Sequence, residues 1–261
     1  MSYFKVMSVS AGYGGDMIIS DVSFEIEKGE VVGIIGANGS GKTTLLKAIC
    51  GILPHSGKCV LDGNTLEDLS PKKRARLCGY IPQRSGISID ISALDVVLMG
   101  FNPMLGILSH PTAEMKAKAV KALSQVGLSG MEDKNYLEMS EGQKQLCIMA
   151  RTLVTESGVL LLDEPESALD FRYRYNMLDL LRTWVKENGK SALVTLHDST
   201  LALNYCDRLL VVDEGSCLGI IDLHNDSMDS MEKLLSKIYG PVSLQHCKNR
   251  SGSDILIMLK E

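Results

Sequence analysis

The sequence predicts an α/β protein in which a mainly parallel sheet carries helices on both faces. Three short apolar runs, VVGII (31–35), VLLLD (159–163) and SALVTL (191–196), alternate along the chain with segments of helical periodicity. Such runs are typical of strands buried on both faces, and their alternation with helices favours parallel pairing. A glycine-rich loop, residues 36–44, follows the first run and precedes a helical segment. Ligands of open α/β sheets bind at this carboxyl edge of the strands.

The N-terminal region predicts a smaller, antiparallel β subdomain. FKVMSVSAGYGG (4–15) alternates loosely and ends in glycines, and SGKCVLDGNTL (56–66) is another short β segment. ISDVSFEIEKGEVVGIIG (19–36) looks like a hairpin that turns at Lys28–Gly29. This hypothesis pairs the VVGII strand with the segment that precedes it.

A block of helices, residues 92–157, interrupts the α/β pattern. It opens with Ser92, a favourable helix N-cap, and residues 112–128 place apolar side chains at helical spacing with lysines between them. We therefore divide one domain, residues 1–261, into an α/β core with its β subdomain (1–91 and 158–225), an inserted helical subdomain (92–157) and a C-terminal extension (226–261) with a short helix and a final strand.

Composition bears on several functional classes. The net charge of −5, with scattered basic residues, disfavours a non-specific nucleic-acid binder, so we expect no nucleic-acid partner. The seven cysteines are widely spaced and lack a C-x-x-C pair, which gives weak support to disulfides or zinc and favours reduced thiols. The N-terminus lacks the long apolar segment of a signal peptide. No apolar run approaches the roughly 18–20 residues of a membrane span, so any membrane role must come through a partner.

GANGSGKTT (36–44) fits the phosphate-loop pattern G-x-x-x-x-G-K-[ST], in the strand–loop–helix context that the pattern requires, and predicts a P-loop NTPase core. Glycines let backbone N–H groups curl around an anion, and the following helix adds the positive end of its dipole. Lys42 supplies a cation for the phosphates, and the Thr43 hydroxyl offers a ligand to Mg²⁺. A plain glycine-rich turn is the alternative, which the flanking strand and helix disfavour. The predicted ATP contacts are Gly36, Asn38, Gly39, Ser40, Gly41, Lys42, Thr43 and Thr44.

VLLLDEP (159–165) predicts the acidic partner of this loop. A buried strand that ends in Asp163 places its carboxylate at the carboxyl edge of the sheet, where it would hold Mg²⁺ through water. Glu164, one residue on, is free to orient or deprotonate an attacking water. In isolation the motif could be a plain strand-to-turn exit, but the phosphate loop weakens that alternative.

Two further polar residues carry less signal. A lone histidine after an apolar strand is more often structural than catalytic, but His197 ends a third strand that is predicted to reach the same sheet edge. Gln83, in GYIPQRSG (79–86), follows a short apolar segment just before the helical block and carries almost no signal by itself.

These motifs, in this order, resemble the nucleotide-binding subunit of ATP-binding cassette (ABC) transporters over about residues 3–225. The resemblance implies that Tyr13 stacks on adenine, that Gln83 contacts nucleotide and metal, and that Asp170 of SALD (167–170) lies at the nucleotide. It implies ATP and Mg²⁺ as cofactors. The implied catalytic residues are Lys42, Glu164 and His197, and the implied metal ligands are Thr43, Gln83 and Asp163.

MSEGQKQ (139–145) falls where this family carries its signature, usually Leu-Ser-Gly-Gly-Gln. By itself, S-x-x-Q is the pattern of a helix capping box, and a capped helix N-terminus is also an anion site. The resemblance implies that Ser140, Gly142 and Gln143 close over the ATP of a second copy in a head-to-tail homodimer. Three residues depart from the family pattern and bear on hydrolysis rate and nucleotide affinity: Glu141 for glycine, Leu146 for a basic residue and Glu166 for threonine.

Within the family, DVVLMGFNP (95–103) and SKIYGPVS (236–243) are similar to importer ATPases for iron–siderophore, haem and cobalamin. The resemblance implies two membrane permease subunits as partners, with an indirect substrate-binding protein, at the cytoplasmic face of the cell membrane. The helical block, 92–157, is then expected to contact the permease. The permease and the binding protein select the substrate, so this chain does not encode it.

A non-transport ABC ATPase, such as one for iron–sulfur cluster assembly, is the alternative that no single residue excludes. A single cassette argues against tandem translation-type proteins, and the lack of a long heptad insert argues against chromosome-type proteins. A P-loop kinase would leave MSEGQ, Gln83 and His197 unexplained. Permease and binding-protein genes beside the gene of this chain would favour the importer.

Overall fold

The computed structural model describes residues 2–106, 108–167, 169–250 and 252–261. The strands are β1 (Phe4–Tyr13), β2 (Asp16–Ile26), β3 (Val31–Ile35), β4 (His55–Leu61), β5 (Asn64–Thr65), β6 (Cys78–Ile81), β7 (Val159–Asp163), β8 (Ser191–Thr195), β9 (Arg208–Asp213), β10 (Ser216–Asp222), β11 (Val242–Lys248) and β12 (Asp254–Lys260). The α-helices are α1 (Lys42–Ile49), α2 (Pro71–Leu77), α3 (Ala93–Leu98), α4 (Ala113–Gln125), α5 (Glu141–Leu153), α6 (Phe171–Asn188), α7 (Ser199–Tyr205) and α8 (Met228–Tyr239).

A six-stranded sheet in the order β10-β9-β3-β8-β7-β6 forms the centre of the molecule. Its pairs are parallel except for β10, which runs antiparallel to β9. The three apolar runs of the sequence are β3, β7 and β8, and all of their residues are buried. This pairing confirms the predicted mainly parallel sheet. Burial on both faces explains why these runs lack an alternation of polar residues.

The two faces of the central sheet bury two separate apolar clusters. Val31 and Ile35 of β3 pack into the cluster that contains the inserted helices, whereas Val32 and Ile34 face the cluster beneath the N-terminal strands. Successive side chains of a strand point to opposite faces, so one five-residue strand contributes to both cores. The carboxyl end of β3 is thereby fixed in position by packing on both sides.

The predicted hairpin at Lys28–Gly29 is wrong. β2 pairs with β1 in an antiparallel sheet of order β2-β1-β4-β5, and β3 pairs instead with β8 and β9 in the central sheet. The burial patterns give the reason, because β2 alternates between buried and exposed residues while β3 is buried throughout. The turn carries the chain from a one-sided sheet to a two-sided one, and the antiparallel N-terminal subdomain itself is confirmed.

Helices α3, α4 and α5 lie between β6 and β7 in the chain, as the predicted helical insertion requires. The Ser92 hydroxyl caps α3 by accepting the N–H of Asp95. In α4, Ala119 and Leu123 are buried while the interleaved lysines are exposed, so the periodic pattern is confirmed.

The C-terminal residues form α8 and an antiparallel pair, β11 and β12. The side chain of Asn204 joins this pair to α7, because its amide donates to the Leu256 carbonyl at 2.8 Å and its oxygen accepts the Leu256 N–H at 2.9 Å. Among the described residues, no helix combines the length and the apolar character that crossing a membrane requires.

Candidate active site

The phosphate loop connects the end of β3 to the start of α1. Gly39 and Gly41 have φ angles of 81° and 98°, in the left-handed region that side chains rarely adopt. A Cβ at Gly36 would lie 2.0 Å from the carbonyl oxygen of Val212, so only glycine fits there. Gly41 is the N-cap of α1 and offers no side-chain cap, which leaves the first N–H groups of the helix available to an anion.

The ammonium of Lys42 lies within this loop. Its Nζ donates to the carbonyl oxygens of Gly36 and Ala37, each at 2.9 Å. Burial lowers the pKa of Lys42, and the nearby carboxylates of Glu164 and Asp163 oppose that shift. The cation is therefore held at the loop by backbone oxygens and by negative charge at the end of β7.

Asp163 collects hydroxyl groups at the edge of the sheet. Its Oδ1 accepts from Thr43 Oγ1 at 2.9 Å and from Thr195 Oγ1 at 3.1 Å, and its Oδ2 accepts from the Tyr80 hydroxyl at 3.4 Å. Burial and the adjacent Asp163 carboxylate raise the pKa of Tyr80, so this phenol stays a proton donor. Carboxylate and hydroxyl oxygens are ligands that Mg²⁺ prefers, and the donor set at Thr43 and Asp163 fits that ion.

Glu164 lies between two polar side chains from different segments. Its Oε2 accepts from Gln83 Nε2 at 2.6 Å, and its Oε1 lies 2.6 Å from His197 Nε2. Its backbone has a φ of 46°, and its N–H donates to Thr195 Oγ1 at 2.7 Å. The β7 strand thus ends in two carboxylates with separate partners, Asp163 on hydroxyl groups and Glu164 between an amide and an imidazole.

Glu166 lies behind this arrangement and is only 2% exposed. One carboxyl oxygen accepts the backbone N–H of His197 at 3.0 Å, and the other has no hydrogen-bond partner among the described residues. Burial raises the pKa of Glu166, against the hydrogen bond from His197, which lowers it. Glu166, which stands where the family usually has threonine, therefore stabilises the turn that holds His197.

An open cleft of about 320 Å³ lies over the phosphate loop. Tyr13, at the end of β1, is 48% exposed and forms one wall, where its ring is accessible for stacking on a planar base. Ser40 lies beneath the loop, buried, with its hydroxyl 2.7 Å from the position that a Cβ on Gly36 would take. The cleft is lined by Tyr13, Ile18, Asn38, Gly39, Gly41, Lys42, Thr43, Thr44 and Glu164.

The MSEGQ segment forms the N-terminus of α5, on a different surface. The Ser140 hydroxyl accepts the N–H of Gln143, and the Gln143 side chain accepts the N–H of Ser140, each at 3.2 Å. The predicted capping box is therefore confirmed. Lys134 also donates to Gln143 Oε1 at 3.3 Å, and Glu141 forms an ion pair with Lys144 at 2.8 Å. Ser140, Gly142 and Gln143 line a separate cleft of about 290 Å³ with Asp170 and Tyr173.

The family model described as "ABC transporter" matches residues 19–167, more than half of the chain. The chain belongs to this family. It is 38% identical over 216 residues to the hemin import ATP-binding protein HmuV of Deinococcus radiodurans, a match that covers 81% of each chain. It is 35% identical over 214 residues to YvrA, an uncharacterized ABC transporter ATP-binding protein of Bacillus subtilis, but that match spans 81% of this chain and only 48% of YvrA.

A solved ABC cassette, dimeric and bound to ADP and Pi in a post-hydrolysis state, has the same fold. It superposes with a TM-score of 0.75 at 26% identity and covers 84% of this chain and 98% of its own. As a member of the family, this ABC protein binds ATP, and the family supports ATP hydrolysis. Its P-loop fold confirms the predicted fold class.

The structure brings most of the predicted site residues together. Asp163, Glu164, Gln83 and His197 are joined to the phosphate-loop cleft through the hydrogen bonds above. Ser140, Gly142, Gln143 and Asp170 line the second cleft and do not line the first. Their roles remain predictions.

Sequence reasoning missed two residues of this site. Thr195 pairs directly with Asp163 across β7 and β8, and Tyr80 reaches the same carboxylate from β6. Neither residue belongs to a motif. Their positions could have identified them, because both residues lie at or near the carboxyl ends of strands adjacent to β7.

Proposed function

We propose that this ABC protein is the ATP-hydrolysing subunit of an importer for haem, iron chelates or cobalamin. It acts as a homodimer, bound through two permease subunits to the cytoplasmic face of the cell membrane, and is supplied by a substrate-binding protein. The similarity to a hemin import ATP-binding protein supports the substrate class. The dimeric state of the related cassette supports the dimer.

The observation that carries the hydrolytic role is the position of Glu164 between Gln83 and His197, beside the phosphate loop. A water held at Glu164 attacks the γ-phosphorus, its proton passes to the carboxylate, and the bond to ADP breaks. Lys42 and the N–H groups of α1 stabilise the phosphate oxygens. Mg²⁺, when bound, neutralises phosphate charge, and Thr43 and Asp163 would hold it, with Gln83 as a further ligand.

A groove of about 520 Å³ between the core and the inserted helices supports a permease partner. Arg74 and Cys78 line its core side, and Met99, Asn102 and Arg151 line its helical side. Because residues of the core and of the inserted helices both line the groove, a permease segment bound there would contact both parts and would respond to a change in their relative position. We assign the permease contact to this groove.

Reconstitution tests this function. The chain is combined in lipid vesicles with the permease pair that co-purifies with it and with the binding protein of that permease. We expect Mg-ATP hydrolysis to rise when the binding protein carries haem, an iron chelate or cobalamin, together with substrate uptake. Lys42→Ala should abolish both activities, because the loop loses its cation.

Two outcomes would contradict the proposal. One is ATP hydrolysis that the binding protein fails to stimulate with any of the three substrates. The other is purification of the chain from its native cell with soluble iron–sulfur assembly proteins and without a permease, which would favour the non-transport alternative.

A further inference from the structure

A cluster of three metal-ligating side chains lies on the N-terminal antiparallel sheet. His55 and Cys59 belong to β4, and Glu67 belongs to the 3₁₀ turn Leu66–Asp68 that follows it. The ligand atoms of these residues, an imidazole nitrogen, a sulfur and a carboxylate oxygen, all lie within 4.8 Å of one another. None of the three lines the nucleotide cleft or the cleft at Ser140.

The imidazole of His55 is oriented by its neighbour. Its Nδ1 lies 3.0 Å from the carbonyl oxygen of Ser56, and a carbonyl oxygen can only accept, so Nδ1 carries a proton. Nε2 then faces Glu67 Oε1 at 3.4 Å. Histidine ligands of metals show this arrangement, with one ring N–H donated to a backbone carbonyl and the other nitrogen directed at the ion.

The other two ligands are also held in place. The backbone N–H of Cys59 donates to both carboxylate oxygens of Glu67, at 3.0 and 3.2 Å. Cys59 is fully buried, and the side chain of His55 is only 5% exposed. The side chain of Glu67 is 28% exposed, which leaves access from solvent on its side of the cluster.

The three ligand types suit a divalent cation. A sulfur, an imidazole nitrogen and a carboxylate oxygen converge within 4.8 Å of one another. A divalent ion between them would displace the thiol proton, and its charge would balance the resulting thiolate and the Glu67 carboxylate.

We propose that His55, Cys59 and Glu67 bind a divalent transition metal of the Zn²⁺ class. One sulfur, one nitrogen and one oxygen ligand, with a fourth position for water, match the tetrahedral preference of Zn²⁺. Bonds of about 2.0–2.3 Å separate tetrahedral ligands by roughly 3.3–3.8 Å, so the side chains must close by about 1 Å. The ion joins β4 to the 3₁₀ turn and stabilises the N-terminal sheet independently of ATP.

Cobalt replaces zinc as a visible probe in the test. The full-length chain, free of nucleotide and Mg²⁺ and kept reduced by a reductant without thiols, is titrated with Co²⁺. We expect a thiolate-to-cobalt charge-transfer band that saturates at one equivalent and disappears when Zn²⁺ is added. Asp163 and its hydroxyl partners cannot produce this band, because they contain no sulfur. Binding of Zn²⁺ to the native state should also raise the melting temperature.

Three variants locate the ion. Cys59→Ser should lose the band, and His55→Gln should weaken Co²⁺ binding by at least about tenfold, since even outer partners of a metal ligand contribute about 10–100-fold. Cys247→Ser, a matched change at a half-buried thiol in β11, should keep the band. Circular dichroism and ATP binding verify that each variant folds.

The proposal is overturned if one equivalent of Co²⁺ gives no band, or if the band survives in Cys59→Ser. It is also overturned if folded His55→Gln binds Co²⁺ as the parent does. His55 and Glu67 would then be an ordinary ion pair. None of these results bears on the proposed ATPase function, because the vesicle assay does not involve this cluster.

Discussion

At the scale of single residues, the two carboxylates that end β7 differ in their partners. Asp163 accepts from the hydroxyl groups of Thr43, Thr195 and Tyr80, whereas Glu164 lies between Gln83 and His197. Because neutral hydroxyl groups hold Asp163 without cancelling its charge, this carboxylate is suited to hold a hydrated cation. The amide and imidazole around Glu164 suit a group that orients water and passes on a proton.

Replacing Glu164 by Gln should separate ATP binding from hydrolysis. The amide keeps the size of the side chain but cannot take a proton from water, and a general base contributes about 10²–10⁴-fold to a rate. We expect turnover to fall by that order while equilibrium binding of ATP, measured with a fluorescent analogue, stays within a few-fold.

Glu166→Gln is the matched control for this change. Glu166 is a buried carboxyl two residues away, and the amide oxygen of glutamine can also accept its hydrogen bond from the backbone N–H of His197, so turnover should change little. Hydrolysis at the parental rate in Glu164→Gln would assign the base to another residue, of which His197 is the first to test.

The residues of this site were predictable to different degrees. Lys42 and Thr43 stand at fixed positions of a pattern, and the pattern encodes a local strand–loop–helix geometry. Thr195 lies far from Asp163 in the sequence, and the two residues meet only through the pairing of β7 with β8. The cluster of His55, Cys59 and Glu67 was missed for a different reason, because its spacing of four and then eight residues matches no metal-binding pattern.

At the scale of elements, burial explains which predictions succeed. β3, β7 and β8 are continuous apolar runs because both faces of the central sheet are covered, and the sequence identifies them directly. Their partners are not encoded locally, so the turn at Lys28–Gly29 looked like a hairpin although it joins two sheets. Capping is local, and the capping box at Ser140 could be predicted from four residues.

The N-terminus of α5 carries an unusual charge. Glu141 replaces the family's usual glycine and forms an ion pair with Lys144, three residues on. An acidic residue in the first turn favours the helix itself, but it repels a phosphate that approaches the same end. Lys144 offsets that repulsion, and its side chain is 21% exposed, so it is partly shielded from solvent.

Removing the charge of Lys144 should therefore weaken the response to ATP. An uncompensated charge a few ångströms from a phosphate costs on the order of 1 kcal/mol in a solvated setting, about fivefold in affinity. We expect Lys144→Met to raise KM for ATP by about that factor, with a stability change below about 0.5 kcal/mol.

Glu141→Gln supplies the matched partner of this experiment. Alone it should lower KM, and combined with Lys144→Met it should return KM close to the parental value. If the double variant instead keeps the raised KM of Lys144→Met, the charge of Glu141 does not act on the nucleotide.

At the scale of the whole molecule, two ligand-facing surfaces point to assembly. The phosphate-loop cleft already combines backbone N–H groups, Lys42 and the carboxylates of β7. The cleft at Ser140, Gly142 and Gln143, at the N-terminus of α5, is the predicted second anion-binding surface, and it shares no lining residue with the first. A two-fold dimer would close each phosphate-loop cleft with the α5 N-terminus of the other subunit, giving two shared sites.

Mixed dimers test this arrangement. Lys42→Ala removes the cation of the phosphate loop, and Gly142→Asp adds an anion and a side chain at the α5 N-terminus, so each homodimer should be inactive. If α5 acts on the partner's ATP, a mixed dimer places both lesions in one site and leaves the other intact. ATPase activity should then return, up to about half of the parental rate where one site turns over independently.

If α5 served its own chain, every site would carry one lesion, and the mixture would stay inactive. The assay uses saturating Mg-ATP, because Glu141 can weaken closure, and differently tagged subunits to verify that heterodimers form. Heterodimers no more active than either parent would refute the shared site.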